Sequence, residues 1–103
     1  MLHSCRSAEL RTRIDLEIRL SLDGLHSATE QVTVAREGLR LSEEELAQAQ
    51  RRFKAGVASS LEVTDAQNRV ARARDNNIAA VFNYESARLD LGAAIGKVRE
   101  YIQ

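Results

Sequence analysis

The sequence predicts an all-α fold, a long antiparallel two-helix coiled-coil hairpin. Three observations carry this prediction. Proline is absent from 103 residues and aromatic residues make up only 4%, while Ala, Leu, Arg, Glu and Gln, all good helix formers, are abundant. Apolar residues recur at seven-residue spacing on both sides of Gly56, the spacing of a coiled-coil seam. Between the two periodic stretches lies one tight reversal with a helix-stop signal followed at once by a helix-start signal.

Residues 1–7 precede the periodic pattern and read as a loose start or truncation scar. The run Leu2-His3-Ser4-Cys5 has the outline of a lipoprotein processing box but lacks the basic and apolar regions that such a signal needs. Cys5 is the sole cysteine, so no disulfide closes within the chain.

The first helix is expected over 8–55. Ile18, Leu25, Val32, Leu39, Leu46 and Phe53 form a heptad series of large apolar residues. Ser21, Ala28, Ala35, Ser42 and Ala49 form a parallel series of small ones. Large and small layers in alternation are what close helix packing requires. Gly24 and Gly38 fall inside this helix, each costing about 1 kcal/mol relative to Ala.

The turn is expected over 56–59. Gly56 follows the periodic stretch where a left-handed residue is wanted, and glycine adopts that conformation without a Cβ penalty. Arg51, Arg52 and Lys54 stand in the last turn, where cations complement the negative end of the helix dipole. Ser59 and Glu62 have the spacing of a capping box: the hydroxyl accepts from the Glu62 amide, and the carboxylate reaches back to the Ser59 amide. So short a link makes the two helices antiparallel neighbours.

The second helix is expected over 60–101. Val63, Val70, Asn77, Tyr84, Leu91 and Val98 are its large series, and Ala66, Ala73, Ala80, Ala87 and Ala94 its small one. Asn77 interrupts the large series as a polar residue that fixes register at the expense of stability. Gly92 and Gly96 weaken the end of the helix.

Each helix carries a second apolar stripe: Leu16, Leu20, Val34 and Leu41 on the first, and Ile78, Phe82, Leu89 and Ile95 on the second. A hairpin buries one face per helix. Eight side chains at ~1.5–3 kcal/mol each leave more than ~10 kcal/mol of burial outside a lone hairpin, comparable to whole-domain stability of ~5–15 kcal/mol. Both helices are therefore expected to have neighbours on two sides.

Lys and Arg total 15 and Asp and Glu total 15, a balance that argues against nucleic-acid binding. No stretch of ~18 apolar residues crosses a membrane, and no alternating ~10-residue segments form barrel strands. His3 and His26 lack metal-ligand spacing, and Ser59 and Ser60 lack a histidine to activate them. The chain reads as a non-enzyme with no cofactor and no metal. Glu43, Glu44 and Glu45 read as a solvated face, with Arg51 or Arg52 as partners for it.

The string Arg52-Phe53-x-x-Gly56-x-x-Ser59-x-x-Glu62-Val63-x-x-Ala66-Gln67 resembles the signature of TolC-like outer membrane factors, the outer membrane efflux proteins. Tyr84-x-x-Ala87-x-x-x-Leu91, followed by Gly96, resembles the family's closing pattern, and Ile18 to Ala49 is similar to the helix before its turn. The likeness spans 14–96. Thr64 departs from it, standing where Leu is common.

The resemblance implies a piece of a trimeric α-helical barrel that hangs through the periplasm from a membrane β-barrel, with a periplasmic adaptor and an inner-membrane pump docking at its far end. The turn would be the tip that meets the adaptor, with Arg52, Phe53, Gly56, Val57 and Ala58 as the docking surface. Glu62 and Asp65 would line the narrow end of the pore, where the family places acidic side chains that favour cations. The chain then reads as part of the C-terminal half of such a protein, on the periplasmic face of the outer membrane, without a signal peptide, first repeat or membrane strands of its own. The alternative is a stand-alone antiparallel coiled-coil interaction module, such as the hairpin of an adaptor.

Overall fold

The computed structural model describes the backbone of residues 2–102 and the side chains of residues 5–102. Two helices account for nearly all of it: α1, Leu2–Lys54, and α2, Ser60–Ile102. They form an antiparallel helical hairpin, and no strand occurs among the described residues.

Helix α1 begins at Leu2, which corrects the expectation of a loose segment before residue 8; Met1 lies outside the described residues. The physical reason is local. Nothing between Leu2 and Ala8 breaks a helix: proline is absent and the first interior glycine is Gly24. The far end of α2 adds a tether, with the Tyr101 hydroxyl donating to the Ser7 carbonyl at 3.4 Å. Both helices also run without interruption through their interior glycines.

The hairpin divides into two compact units, one of residues Glu30–Phe82 around the turn and one pairing the chain up to Thr29 with the chain from Asn83 onward. In heptad terms the large series occupies position a and the small series position d of each helix. The Glu30–Phe82 unit is registered by two cross-helix ion pairs, Arg69 Nε with Glu45 at 3.4 Å and Arg52 Nε with Glu62 at 3.3 Å. In the other unit Lys97 Nζ meets Glu17 at 2.9 Å. All six residues occupy position g. In both units, therefore, the g and c sides of the two helices share one flank, and the e and b sides share the other.

The seam is buried unequally. Ala28, Ala49, Ala66, Ala80 and Ala94 are buried, with Ala66 wholly so at 0% exposure, and Val70, Ile14 and Ser42 join them. Ile18, Leu25, Leu39, Leu46, Val63, Tyr84 and Leu91 are only half-buried. Alanine at the contact lets the helix backbones approach, and the large partner then spans the narrow gap and projects past its edge. Among the described residues no large side chain is fully buried. Two helices suffice for a seam but not for a closed core.

Two seam expectations are modified. Phe53, the last of the large series, is 49% exposed. The chain reverses just after it, and the register sets it beside the Ser59 turn rather than beside a helix. Asn77 is half-buried in the seam with its Oδ1 buried and unpartnered. The register places it level with Ala35, which has no side-chain donor to offer. An unsatisfied buried acceptor costs about 1–3 kcal/mol.

Leu16, Leu20, Val34, Leu41, Ile78, Phe82, Leu89 and Ile95, the eight residues of the second stripes, are all exposed. The α1 stripe lies mainly at position c, and the α2 stripe at positions b, e and f. Within each unit the α1 stripe therefore leans to the flank that carries the cross-helix ion pairs, whereas on α2 Ile78 and Ile95 lean to the opposite flank and Phe82 and Leu89, at position f, face away from the seam.

Candidate functional site: the hairpin tip

The tip forms from backbone chemistry first. The Gly56 amide donates to the Phe53 carbonyl and the Val57 amide to the Arg52 carbonyl, each at 3.0 Å. These are the two bonds of a Schellman motif, which satisfy carbonyls that the ending helix would leave orphaned. Gly56 has φ 76°, the left-handed conformation expected of it. A Cβ built there would meet nothing within 4 Å, so the demand for glycine comes from the backbone and not from crowding.

Helix α2 starts with Ser59 in the cap position. Ser59 Oγ accepts from the Glu62 amide at 3.3 Å, one half of the expected reciprocal pair. The other half is absent: the Glu62 carboxylate turns to Arg52, accepting from its Nε at 3.3 Å. A charged guanidinium outcompetes a neutral amide for a carboxylate. Arg52 Nη2 also donates to the Val57 carbonyl at 3.4 Å. Arg52 thus ties the end of α1 to both the turn and the first turn of α2. Its value for the dipole was legible in the sequence; its bridging role was not, because the partner lies ten residues away across a reversal.

Arg51 and Lys54, with Arg52, form a basic last turn. Val57 is 64% exposed, Phe53 is also exposed, and Ala58 is half-buried. Leu61, 67% exposed, was not singled out from the sequence and adds a third large apolar side chain to the tip. The signal was available: Leu61 occupies position f of α2, outside the seam, at a site that demands no apolar residue.

Glu62 and Asp65 share the flank of the ion pairs, at positions g and c, and both are exposed. They differ in company. Glu62 is held by Arg52, whereas Asp65 has no hydrogen-bond or ion partner among the described residues. The acidic run sorts the same way: Glu44 pairs with Arg40 at 2.6 Å and Glu45 with Arg69, so the arginines before the turn are not its partners. Arg40 also donates to both carboxylate oxygens of Glu37. This hydrogen bonding holds the Glu37 carboxyl below the ordinary carboxylate range; desolvation opposes it, and the charge of Arg40 aids it to a lesser degree.

Among the described residues no group of three or more His, Cys, Asp or Glu is placed to hold a metal ion, and no helix is long and apolar enough to cross a membrane. The family model described as outer membrane efflux protein matches residues 18–97, a span that takes in the seam, both stripes and the tip. Neither the curated proteins nor the solved structures contain a match.

Proposed function

The chain belongs to the outer membrane efflux protein family, and from that premise we propose that it is a hairpin of the periplasmic helical barrel of an efflux channel, contributing to substrate export with its tip docking a periplasmic adaptor. Members of the family are channels of the outer membrane rather than enzymes, and the family as a whole implies trimers and adaptor contact. The observation that carries the finer reading is the tip. A cap of Phe53, Val57 and Leu61 leaves apolar side chains exposed where no element of this chain covers them. The Schellman turn and Arg52 hold that cap in shape, so little ordering entropy opposes a partner that meets it.

The pore-lining role is assigned to Asp65 ahead of Glu62. Both stand in the first turns of α2 on one flank, but Glu62 spends its charge on Arg52 while that of Asp65 is free to meet passing cations. Three copies would place three such carboxylates around the narrow end. The alternative, a stand-alone coiled-coil module, needs only one seam and leaves both stripes uncovered.

The experiment is site-specific photo-cross-linking to purified periplasmic adaptor protein. A photoreactive residue at Val57 or Ala58 should capture the adaptor, and one at Glu100, at the other end of the hairpin, should not. Equal capture at both ends, or none at the tip of a helical chain, overturns the docking role.

A further inference from the structure

On one flank of the seam the facing charges are matched, and on the other one facing pair is not. In the Glu30–Phe82 unit the matched pairs are Glu45 with Arg69 and Arg52 with Glu62. They also define which positions face each other. Leu46 is level with Ala66, and the two residues that meet beside that layer are the one before Leu46 and the one three after Ala66. The same construction on the other flank starts from the layer of Ala35 and Asn77. The residue after Ala35 is Arg36, and the residue three before Asn77 is Arg74. An antiparallel seam is symmetric about each layer, so these two e positions face one another as the g positions do.

Two arginines therefore stand opposite where a coiled coil ordinarily sets opposite charges. Both are exposed, and neither has a hydrogen-bond or ion partner among the described residues. The acids nearby are engaged or displaced. Glu37 and Glu44 are held by Arg40. Glu43, on the same row as Arg36, lies seven residues on, about 10 Å along the helix. No other facing position of this unit sets like charges together. Like charges at contact distance repel, and the layer they flank is already a weak one, since Asn77 Oδ1 is buried there without a partner.

We infer that Arg36 and Arg74 form a binding site for a doubly charged tetrahedral oxyanion of the phosphate class, which bridges the two helices across the seam. Charge and shape both fit. Two guanidinium groups carry two positive charges, and each presents a fork of N–H donors to one edge of an anion. A phosphate group carries close to two negative charges and offers more than one O–P–O edge, whereas a single carboxylate offers one edge. Bound there, it turns a repulsive contact into a tie between α1 and α2 beside the unsatisfied layer. The site lies about 30 Å from Gly56 along the helix, so it does not depend on what the tip meets.

The experiment follows thermal unfolding of the full 103-residue chain by circular dichroism at low protein concentration, in inorganic phosphate and in chloride at matched ionic strength. Phosphate should stabilise the parent chain saturably, raising the folded-to-unfolded ratio about tenfold at roughly ten times its half-saturating concentration. Arg36→Gln and Arg74→Gln each remove one fork and should lose that response. An equal response in the parent and both variants is a general salt effect and overturns the site. Arg74→Glu checks the facing geometry without any ligand. In chloride its folded-to-unfolded ratio should exceed that of Arg74→Gln by up to about fivefold, within the range of an exposed ion pair, and phosphate should leave it unmoved. If Arg74→Glu is no more stable than Arg74→Gln, the two arginines do not face each other and the site falls. Glucose 6-phosphate separates the two sources of the group. Half-saturation at a lower concentration than inorganic phosphate assigns the site to a phosphate carried on a larger molecule, the reverse order assigns it to the free ion, and no saturable response to either overturns it.

Discussion

Gly56 shows how far a single residue determines the tip. Its left-handed backbone is occupied by glycine although the space around a Cβ is open. The penalty for any other residue is therefore conformational. Gly56→Val should destabilise the hairpin by ~1 kcal/mol or more, and Gly56→Asn by less, since Asn tolerates the left-handed region where a β-branched residue does not. Thermal melts of the two variants check the order; equal losses would point to crowding instead. Gly56 and Ser59 were legible in the sequence because their chemistry is local to three or four residues of backbone. Arg52 was legible only by half. A capping box has room for one acceptor at Glu62, and nothing in the spacing indicates that a guanidinium from the preceding helix will claim it. Asn77 was legible as a polar interruption of the seam, but its unpartnered oxygen depends on which residue of α1 stands level with it.

At the scale of the element, each helix followed the heptad pattern wherever a partner lay opposite, and departed from it at the ends. Phe53 keeps the period yet is exposed, because period says which face a side chain takes and not whether the other helix extends that far. The start of α1 was placed too late for the converse reason. Periodicity needs apolar residues to be seen, whereas a helix needs only the absence of breakers and something to hold its end, here Tyr101 on Ser7. The exposed surface of α1 is supported by Arg40, gripping Glu37 one turn before and Glu44 one turn after. This gives a pH signature. The Glu37 carboxyl is held below its ordinary range, so the folded helix favours the ionised form. The contribution is fully present above the unfolded carboxylate range and is lost as pH falls through the lowered value. Acidification should therefore reduce helix stability modestly, the site being solvent-exposed and screened by salt. In Glu37→Gln that portion of the pH dependence should vanish, and superimposable acid titrations of the two chains by circular dichroism would refute the assignment.

At the scale of the whole molecule, the division of labour between seam and stripe is what would suit the hairpin to the wall of the proposed barrel. The seam is built around alanine, with Ala66 wholly enclosed, so that two helices lie close without a thick core between them. A thin seam buries little, and the apolar surface it leaves over is concentrated on the two outer edges. The two faces should then respond to substitution in opposite ways. Ala66→Leu forces added volume into a closed contact and should destabilise the folded hairpin by about 1–3 kcal/mol, with loss of association only as a consequence of unfolding. Ile78→Lys with Phe82→Lys touches side chains that are 67% and 69% exposed. It should leave the hairpin itself nearly as stable, since surface changes usually fall within ±0.5 kcal/mol, while reducing concentration-dependent association, as the expectation of neighbours on both stripes requires. Melting curves at low concentration together with light scattering across a concentration series separate the two effects. If the stripe variant lost its helicity at low concentration, the edges would be supporting the fold rather than joining copies. If it associated like the parent chain, the α2 stripe would not be a surface on which neighbours pack.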